Sequence, residues 1–340
     1  MPADRQVAAA AAADPVAAVL DAHDRGELIR LRTSGTTSEP RAVVRTTGSW
    51  VDSFPHVSRL AGIDRHARVW IPGPLSATMN LFAAVHAQYT GATVVDKPGD
   101  ATHAHLTPAL LHAALQQGAD LAGVRVVVAG DRLPRDLDDR ARATGAKVSH
   151  YYGAAELSFV AWGTHEQDLR PFPGAEVQVR DGVLWVRSPY LSLGYEGAEG
   201  PFTLGADGFA TVGDRGSLAG GVLTVAGRGA DVVLTGGATV LVADVELGLR
   251  RAGVPDVVVV GIPHRRLGHV VAAVVADAAV AERARTAARD GLSSVQRPRV
   301  WFHLPQFPVT AGGKVDRAAV AALAEAGQLP AIPRARGQGS

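Results

Sequence analysis

Thr33, Ser34, Thr36 and Thr37 crowd four hydroxyls around Gly35, and the stretch LRTSGTTSEPR (31–41) closes on the cation of Arg41. Ser and Thr weaken helices by competing for the backbone, and one glycine does not define a simple turn. Hydroxyls and backbone N–H groups on a pliable loop can instead wrap a polyphosphate, with Arg41 adding positive charge. The string is not a Walker A loop, because the order G-x-x-x-x-G-K-[ST] is absent. Taken alone, it reads about equally well as an ordinary polar surface loop. Four further segments follow in order: YYGAAE (151–156), DGFATVGD (207–214), GRGADVVLTGGATVLVADVE (227–246) and VTAGGKVDR (309–317). Read singly, Glu156 is a solvated acid, Asp214 a turn residue, Arg228 a surface cation and Lys314 a mobile loop lysine.

The elements that must position these residues show in the periodicity. Asp14-Pro15 is an N-cap followed by proline at the first helical position, opening an alanine-rich helix. Residues 46–60 read as one helix. RVWIPGP (68–74), ATVVD (92–96), VRVVVAGD (124–131) and AKVSHYYG (146–153) are short apolar runs of the buried-strand kind. Between them lie helical stretches 79–91, 107–118 and 134–145, each ending in glycine. That alternation implies an α/β fold with a mainly parallel sheet and helices on its faces. From Gly174 the pattern changes to apolar/polar alternation around Asp-Gly and Gly-Gly, the mark of antiparallel hairpins. Beyond Arg228 it changes again, to a small α+β domain. The expected domains are 1–229, 230–328 and a disordered Pro/Arg/Gly-rich tail, 329–340.

Composition removes several classes of function. The 340 residues suffice for about two domains of ~150 residues. Apolar residues make up 47%, enough for a sizeable core. Lys plus Arg number 34 against 33 Asp plus Glu, a net +1 that gives no general attraction to nucleic acid or anionic lipid. With no cysteine there are no disulfides, thiolate metal sites or thiol nucleophiles. No apolar run approaches the ~18 residues of a membrane helix. The alanine run 8–13 lacks the flanks of a signal peptide, so a cytoplasmic protein is expected. His264 and His269 are expected to face solvent, and His103 and His105 have no partner at zinc spacing.

Five segments in fixed order, together with GIPHRRLGHVVAAVV (261–275), resemble the adenylate-forming acyl-CoA synthetase superfamily over residues 31–317. The resemblance implies a large N-terminal domain, a small mobile α+β lid and two half-reactions. A carboxylate attacks the α-phosphate of ATP, releasing pyrophosphate; a thiol, usually that of coenzyme A, then displaces AMP. It implies that Thr33, Ser34, Gly35, Thr36, Thr37 and Arg41 hold the β- and γ-phosphates. Glu156 would help hold Mg²⁺, a hard cation that takes oxygen ligands. Asp214 would accept both ribose hydroxyls. Arg228 would lie near ribose and α-phosphate, and Lys314 would stabilise charge developing at the reacting groups. Gly130, Tyr152 and Gly153 would line the adenine slot. Ser76, Ala77, Gly153 and Leu157 would border an apolar or aryl acyl pocket.

The sequence departs from the family pattern at several of these places. Arg41 stands for the usual Lys, Ser38 for a Gly, Ala155 and Val212 for Thr, and Ala230 for a hinge Asp or Lys. The resemblance describes a short form lacking much of the usual N-terminal segment, from which a homodimer covering exposed sheet is expected. The leading reading is an ATP-dependent acid–CoA ligase. The alternatives are an adenylating enzyme serving a carrier protein or an amine, and a catalytically weak nucleotide-binding homologue.

Overall fold

The computed structural model describes residues 6–32, 41–197, 200–227, 232–310 and 313–333. The chain divides into two compact units, residues 1–225 with 310–314, and residues 226–309 with 315–340.

A seven-stranded sheet organises the first unit. Its spatial order is Arg170–Pro171, Ser158–Gly163, Lys147–Ala154, Arg125–Val128, His103–Leu106, Arg68–Trp70 and Thr93–Val95. The last five of these are mutually parallel, and the first two turn antiparallel. Val126, Val127 and Val128 are all buried, as the apolar run predicts for a strand covered on both faces. Helices Pro108–Gln116 and Arg135–Ala143 cover one face, packing Leu111, Leu137 and Ala141 on Leu106, Val126 and Val148. The core on the opposite face is aromatic. Phe82, on helix Thr78–Tyr89, meets Trp50, Phe54 and Phe159 edge-on with ring centroids 5.3, 5.4 and 4.9 Å apart. Such pairs add about 0.5–1.5 kcal/mol beyond their buried area.

Local signals set the helix ends. Asp14 Oδ1 accepts from Val16 N and Ala17 N at 3.0 Å, and Gly26 ends the helix Pro15–Arg25 at φ +65. Thr107 caps Pro108–Gln116 by accepting from Leu110 N. The single helix expected over 46–60 is two, Gly48–Val51 and Phe54–Ala61. Pro55 has no N–H to return to the preceding turn, so the first helix cannot run on through it.

Two smaller sheets complete the first unit. One orders Gln6–Val7, Leu28–Arg32, Ala42–Thr46 and Gly194–Tyr195. The other is antiparallel around Val183–Arg187, which pairs with Glu176–Arg180, Ala210–Thr211 and Arg215–Ala219. It holds the hairpins expected after Gly174.

In the second unit, Val257–His264 and Gly268–Val275 form a long hairpin flanked by Val232–Thr235 and, in parallel, Val300–His303. Helices Val242–Arg251 and Ala281–Gly291 cover one face through Val245, Leu249, Ala284 and Ala288; Arg317–Glu325 covers the other through Val320 and Ala324. Disorder expected from Leu329 is corrected for its first part. Leu329 is buried with Phe302 and Val320, and Ile332 N donates to Trp301 O at 2.8 Å. An apolar residue at each of these positions outweighs the Pro/Arg composition; the rest of the tail, 334–340, lies outside the described residues. Among the described residues no helix is long and apolar enough to cross a membrane.

Candidate active site

Asp214 enters from the antiparallel sheet. It follows Gly213, at φ +79, at the head of strand Arg215–Ala219. Thr211 fixes this corner, its hydroxyl donating to Leu184 O at 2.7 Å and accepting from Gly213 N at 3.0 Å. Leu184 N donates to Asp214 O at 2.8 Å. The side chain is only 6% exposed, and the Tyr152 hydroxyl donates to its Oδ2 at 2.6 Å. Val212, where the family has Thr, is buried with Leu157, Val186 and Leu223 and serves that core.

Glu156 sits in the turn that joins Lys147–Ala154 to Ser158–Gly163. The pairing slips at Tyr152/Gly153, and Ser158 adopts φ +57, rare for a residue with a Cβ. A Cβ at Gly153 would lie 2.1 Å from Ser158 O, so only glycine fits this crossing. Such strain, on the order of 1–3 kcal/mol, persists only where neighbours over-determine the backbone. They do so here. Ser192 N donates to Glu156 O at 2.8 Å, and the Tyr195 hydroxyl donates to Glu156 Oε1 at 2.6 Å. Arg45 Nη1 donates to Ala155 O at 3.0 Å. Glu156 is 4% exposed and Arg45 is wholly buried. Burial pulls the Arg45 guanidinium down to about 9 while the charge of Glu156 pulls it back up, so it remains a cation at neutral pH.

Gly130 follows strand Arg125–Val128 at φ +88. A Cβ there would lie 3.3 Å from Lys314 Cε, 3.4 Å from Thr107 Cγ2 and 3.7 Å from Met79 Sδ. Residues 310–314 belong to the first unit. Gly313 N donates to Thr310 O at 2.8 Å and Thr310 N to Lys314 O at 2.7 Å, which ties Lys314 back to Thr310. The Thr107 hydroxyl donates to Gly313 O, so the cap of helix Pro108–Gln116 also fixes the residue before Lys314.

Three groupings result: Asp214 with Tyr152, Glu156 with Tyr195 and Arg45, and Lys314 with Gly130. Thr33, Ser34, Gly35, Thr36, Thr37, Arg228 and Ala230 lie outside the described residues. Arg41 is half-buried, just ahead of strand Ala42–Thr46. Ser76 is exposed and Ala77 holds the N-cap position of Thr78–Tyr89. Leu157 belongs to the core of the antiparallel sheet, packed with Val160, Leu184 and Val212, so its side chain is not placed as an open pocket wall. His103 and His105 are buried in their strand, and no group of three His, Cys, Asp or Glu able to hold a metal occurs among the described residues.

Four site neighbours escape a motif reading: Arg45, Tyr195, Thr107 and Met79. Arg45 had a signal, since a charged residue inside the apolar run AVVRT needs buried partners. Tyr195 reaches Glu156 only because Gly194–Tyr195 pairs with Ala42–Thr46, a contact no sequence spacing shows.

Comparison with known proteins gives four consistent likenesses. A family described as AMP-binding enzyme matches residues 31–196. A Mycobacterium tuberculosis protein named "Probable 2-succinylbenzoate–CoA ligase" is 30% identical over 326 residues, covering 85% of this chain and 82% of that protein. An uncharacterized acyl–CoA ligase of Bacillus subtilis is 27% identical over 324 residues, covering 85% of this chain and 67% of that protein. Among solved structures, the amide bond synthetase McbA of Marinactinospora thermotolerans superposes with a TM-score of 0.71 at 27% identity, covering 88% of this chain and 69% of that one.

Proposed function

The chain belongs to the AMP-binding, adenylate-forming enzyme family, and from that premise we propose that it activates a carboxylic acid with ATP and passes the acyl group to coenzyme A. In the first step the acid's carboxylate oxygen attacks the α-phosphorus and the bond to the pyrophosphate oxygen breaks. In the second, the thiol sulfur attacks the acyl carbon, AMP leaves, and the thiol proton passes to solvent.

One observation carries this reading: a buried carboxylate, Asp214, held by a tyrosine hydroxyl on the strand that leads into Glu156. That pairing joins a ribose acceptor to the turn bearing the second acid. Asp214 would orient the nucleotide through charge-assisted hydrogen bonds from ribose. Lys314 would stabilise negative charge as the acid approaches phosphate; with its stem against Gly130, little reorganisation is needed. Thr33, Ser34, Thr36, Thr37 and Arg41 would hold the outer phosphates, and Arg228 the ribose side. Magnesium is usually bound through one or two carboxylates plus phosphate oxygens, and Glu156, the buried acid of its turn, fits that donor set. When bound, the ion would neutralise phosphate charge.

The acid is proposed to be apolar or aryl, in keeping with the 2-succinylbenzoate ligase relative. A cytoplasmic homodimer remains part of the proposal. A second reading, transfer to an amine, is favoured by the likeness to an amide bond synthetase. Pyrophosphate release is to be measured across a panel of aryl and alkyl acids, then product formed with CoA or with amines. Thioester with CoA supports the first reading and amide the second. AMP binding without pyrophosphate release from any acid would leave only a nucleotide-binding homologue.

A further inference from the structure

Arg45 has no part in the scheme above, yet it is the largest buried charged side chain in the first unit and lies beside the turn bearing Glu156. A buried cation is costly unless its donors are satisfied and its charge is matched. The guanidinium meets both conditions with partners from three segments. Its Nε donates to Ser49 Oγ at 2.9 Å, Nη1 to Ala155 O at 3.0 Å, and Nη2 to Tyr190 O. Its charge is matched by Glu156. Trp50 closes over it, with the ring centroid 5.5 Å from Cζ.

The geometry points to Arg45 as the positioning residue of Glu156, a role that rests on the reading of Glu156 as a catalytic acid. The hold acts through one peptide plane. Ala155 O, Glu156 N and Glu156 Cα lie in the same rigid plane, so holding that oxygen holds the start of Glu156. Ser192 N holds the next carbonyl and Tyr195 the carboxylate, which leaves Glu156 gripped before, behind and at its tip. Two of these grips come from neighbouring strands: Arg45 lies in Ala42–Thr46, and Tyr195 in the strand that pairs with it. Strand Ala42–Thr46 thus carries one grip itself and holds the strand that carries another. The left-handed Ser158 gives the turn a local reason to relax if the grip is lost.

Arg45→Met keeps length and loses the fork; Arg45→Lys keeps the charge, on a single donor nitrogen. Ser49→Ala leaves the guanidinium in place but frees its Nε, and serves if Arg45→Met fails to fold. Each is compared with Glu156→Gln by three measurements: pyrophosphate release, AMP affinity by calorimetry, and binding of Mn²⁺ with α,β-methylene-ATP by electron paramagnetic resonance. Misplacement of a reacting group by about 1 Å costs roughly 10²-fold. We expect kcat for pyrophosphate release to fall about 10²-fold in Arg45→Met and about 10-fold in Ser49→Ala, with partial recovery in Arg45→Lys. Mn²⁺ binding should weaken in the same order, while KM for ATP and AMP affinity stay within about twofold. If Glu156→Gln is impaired but Arg45→Met or Ser49→Ala keeps parental kcat and Mn²⁺ binding, the positioning role is overturned. It is overturned equally if AMP affinity falls in step with kcat, the pattern of general damage. If Glu156→Gln itself behaves as the parent, the catalytic reading of Glu156 falls, and this role with it.

Discussion

The Tyr152 hydroxyl lies 2.6 Å from Asp214 Oδ2 and donates a hydrogen bond to it. Two segments 62 residues apart are thereby tied at one point, the end of a parallel-sheet strand and a corner of the antiparallel sheet. In the proposed role, a carboxylate held this way would offer ribose a pre-oriented acceptor. Asp214→Ala should therefore weaken AMP binding by about 1.5–3 kcal/mol, the usual value of hydrogen bonds to a charged group. Tyr152→Phe removes only the orienting donor and should weaken it less, by roughly 1 kcal/mol. Calorimetry on the two variants and their double mutant checks both. Additive losses would show that Tyr152 does not act through Asp214.

Gly153 makes the sharpest stability prediction. An added Cβ would come within 2.1 Å of Ser158 O, a backbone atom that cannot rotate away. Gly153→Ala should cost about 3 kcal/mol, at the upper end of ordinary overpacking. At Gly130 the obstacle is milder, a φ of +88 with the nearest contact 3.3 Å away on a flexible lysine. Gly130→Ala should cost about 1–2 kcal/mol, the penalty of a left-handed conformation. Urea denaturation followed by circular dichroism ranks them; equal losses would show that the crossing at Gly153 can open.

Much of this architecture was legible because local chemistry and global fold agree. The buried runs around Val126 and Val148 became parallel strands, and Asp14 and Thr107 became caps, because each signal acts within a few residues. What the sequence hid was long-range. Tyr195 reaches Glu156 across 39 residues, and Thr107 reaches Gly313 across 206. Neither spacing carries a period. The placing of Leu157 was hidden for a related reason: the turn after Glu156 sends the leucine into the core of the antiparallel sheet, and no local period announces that. The helix expected over 46–60 broke where Pro55 removed one donor, a local rule that the apolar pattern had masked.

Buried histidines should make the first unit acid-sensitive. Burial pulls His86 and His150 down to about 4 and His105 to about 3, against 6.5 for an exposed imidazole. His86 Nε2 lies 2.8 Å from Ser58 Oγ and His150 Nδ1 lies 3.0 Å from Val128 O, while His105 Nδ1 has no hydrogen-bond partner among the described residues. Between these values and 6.5 the unfolded chain binds protons that the native chain refuses. Stability is therefore full above about pH 6.5 and drains as pH falls towards 4 and then 3. Urea midpoints measured from pH 7.5 to 4.5 should fall steadily, and His105→Phe should flatten that fall. A flat profile in the parent would show that these rings accept protons in place.

Lys314 separates an enzyme from a relic. Its Cε lies 3.3 Å from where a Cβ at Gly130 would stand, and Thr107 fixes the carbonyl just before it. The ammonium is thus carried on a held backbone rather than a free loop, the condition under which one charged group stabilises a transition state well. Lys314→Ala should lower acyl-adenylate formation by ~10²–10³, the usual cost of losing one such group. Thioester formation from supplied acyl-adenylate should suffer much less, because the attack then falls on the acyl carbon and no five-coordinate α-phosphorus has to be stabilised. The melting temperature should move by less than about 2 °C, since only the contacts of one stem are lost. Pyrophosphate release reports the first half-reaction and CoA consumption the second. Equal losses in both would assign Lys314 another role, and an unchanged first half-reaction would remove it from the chemistry altogether.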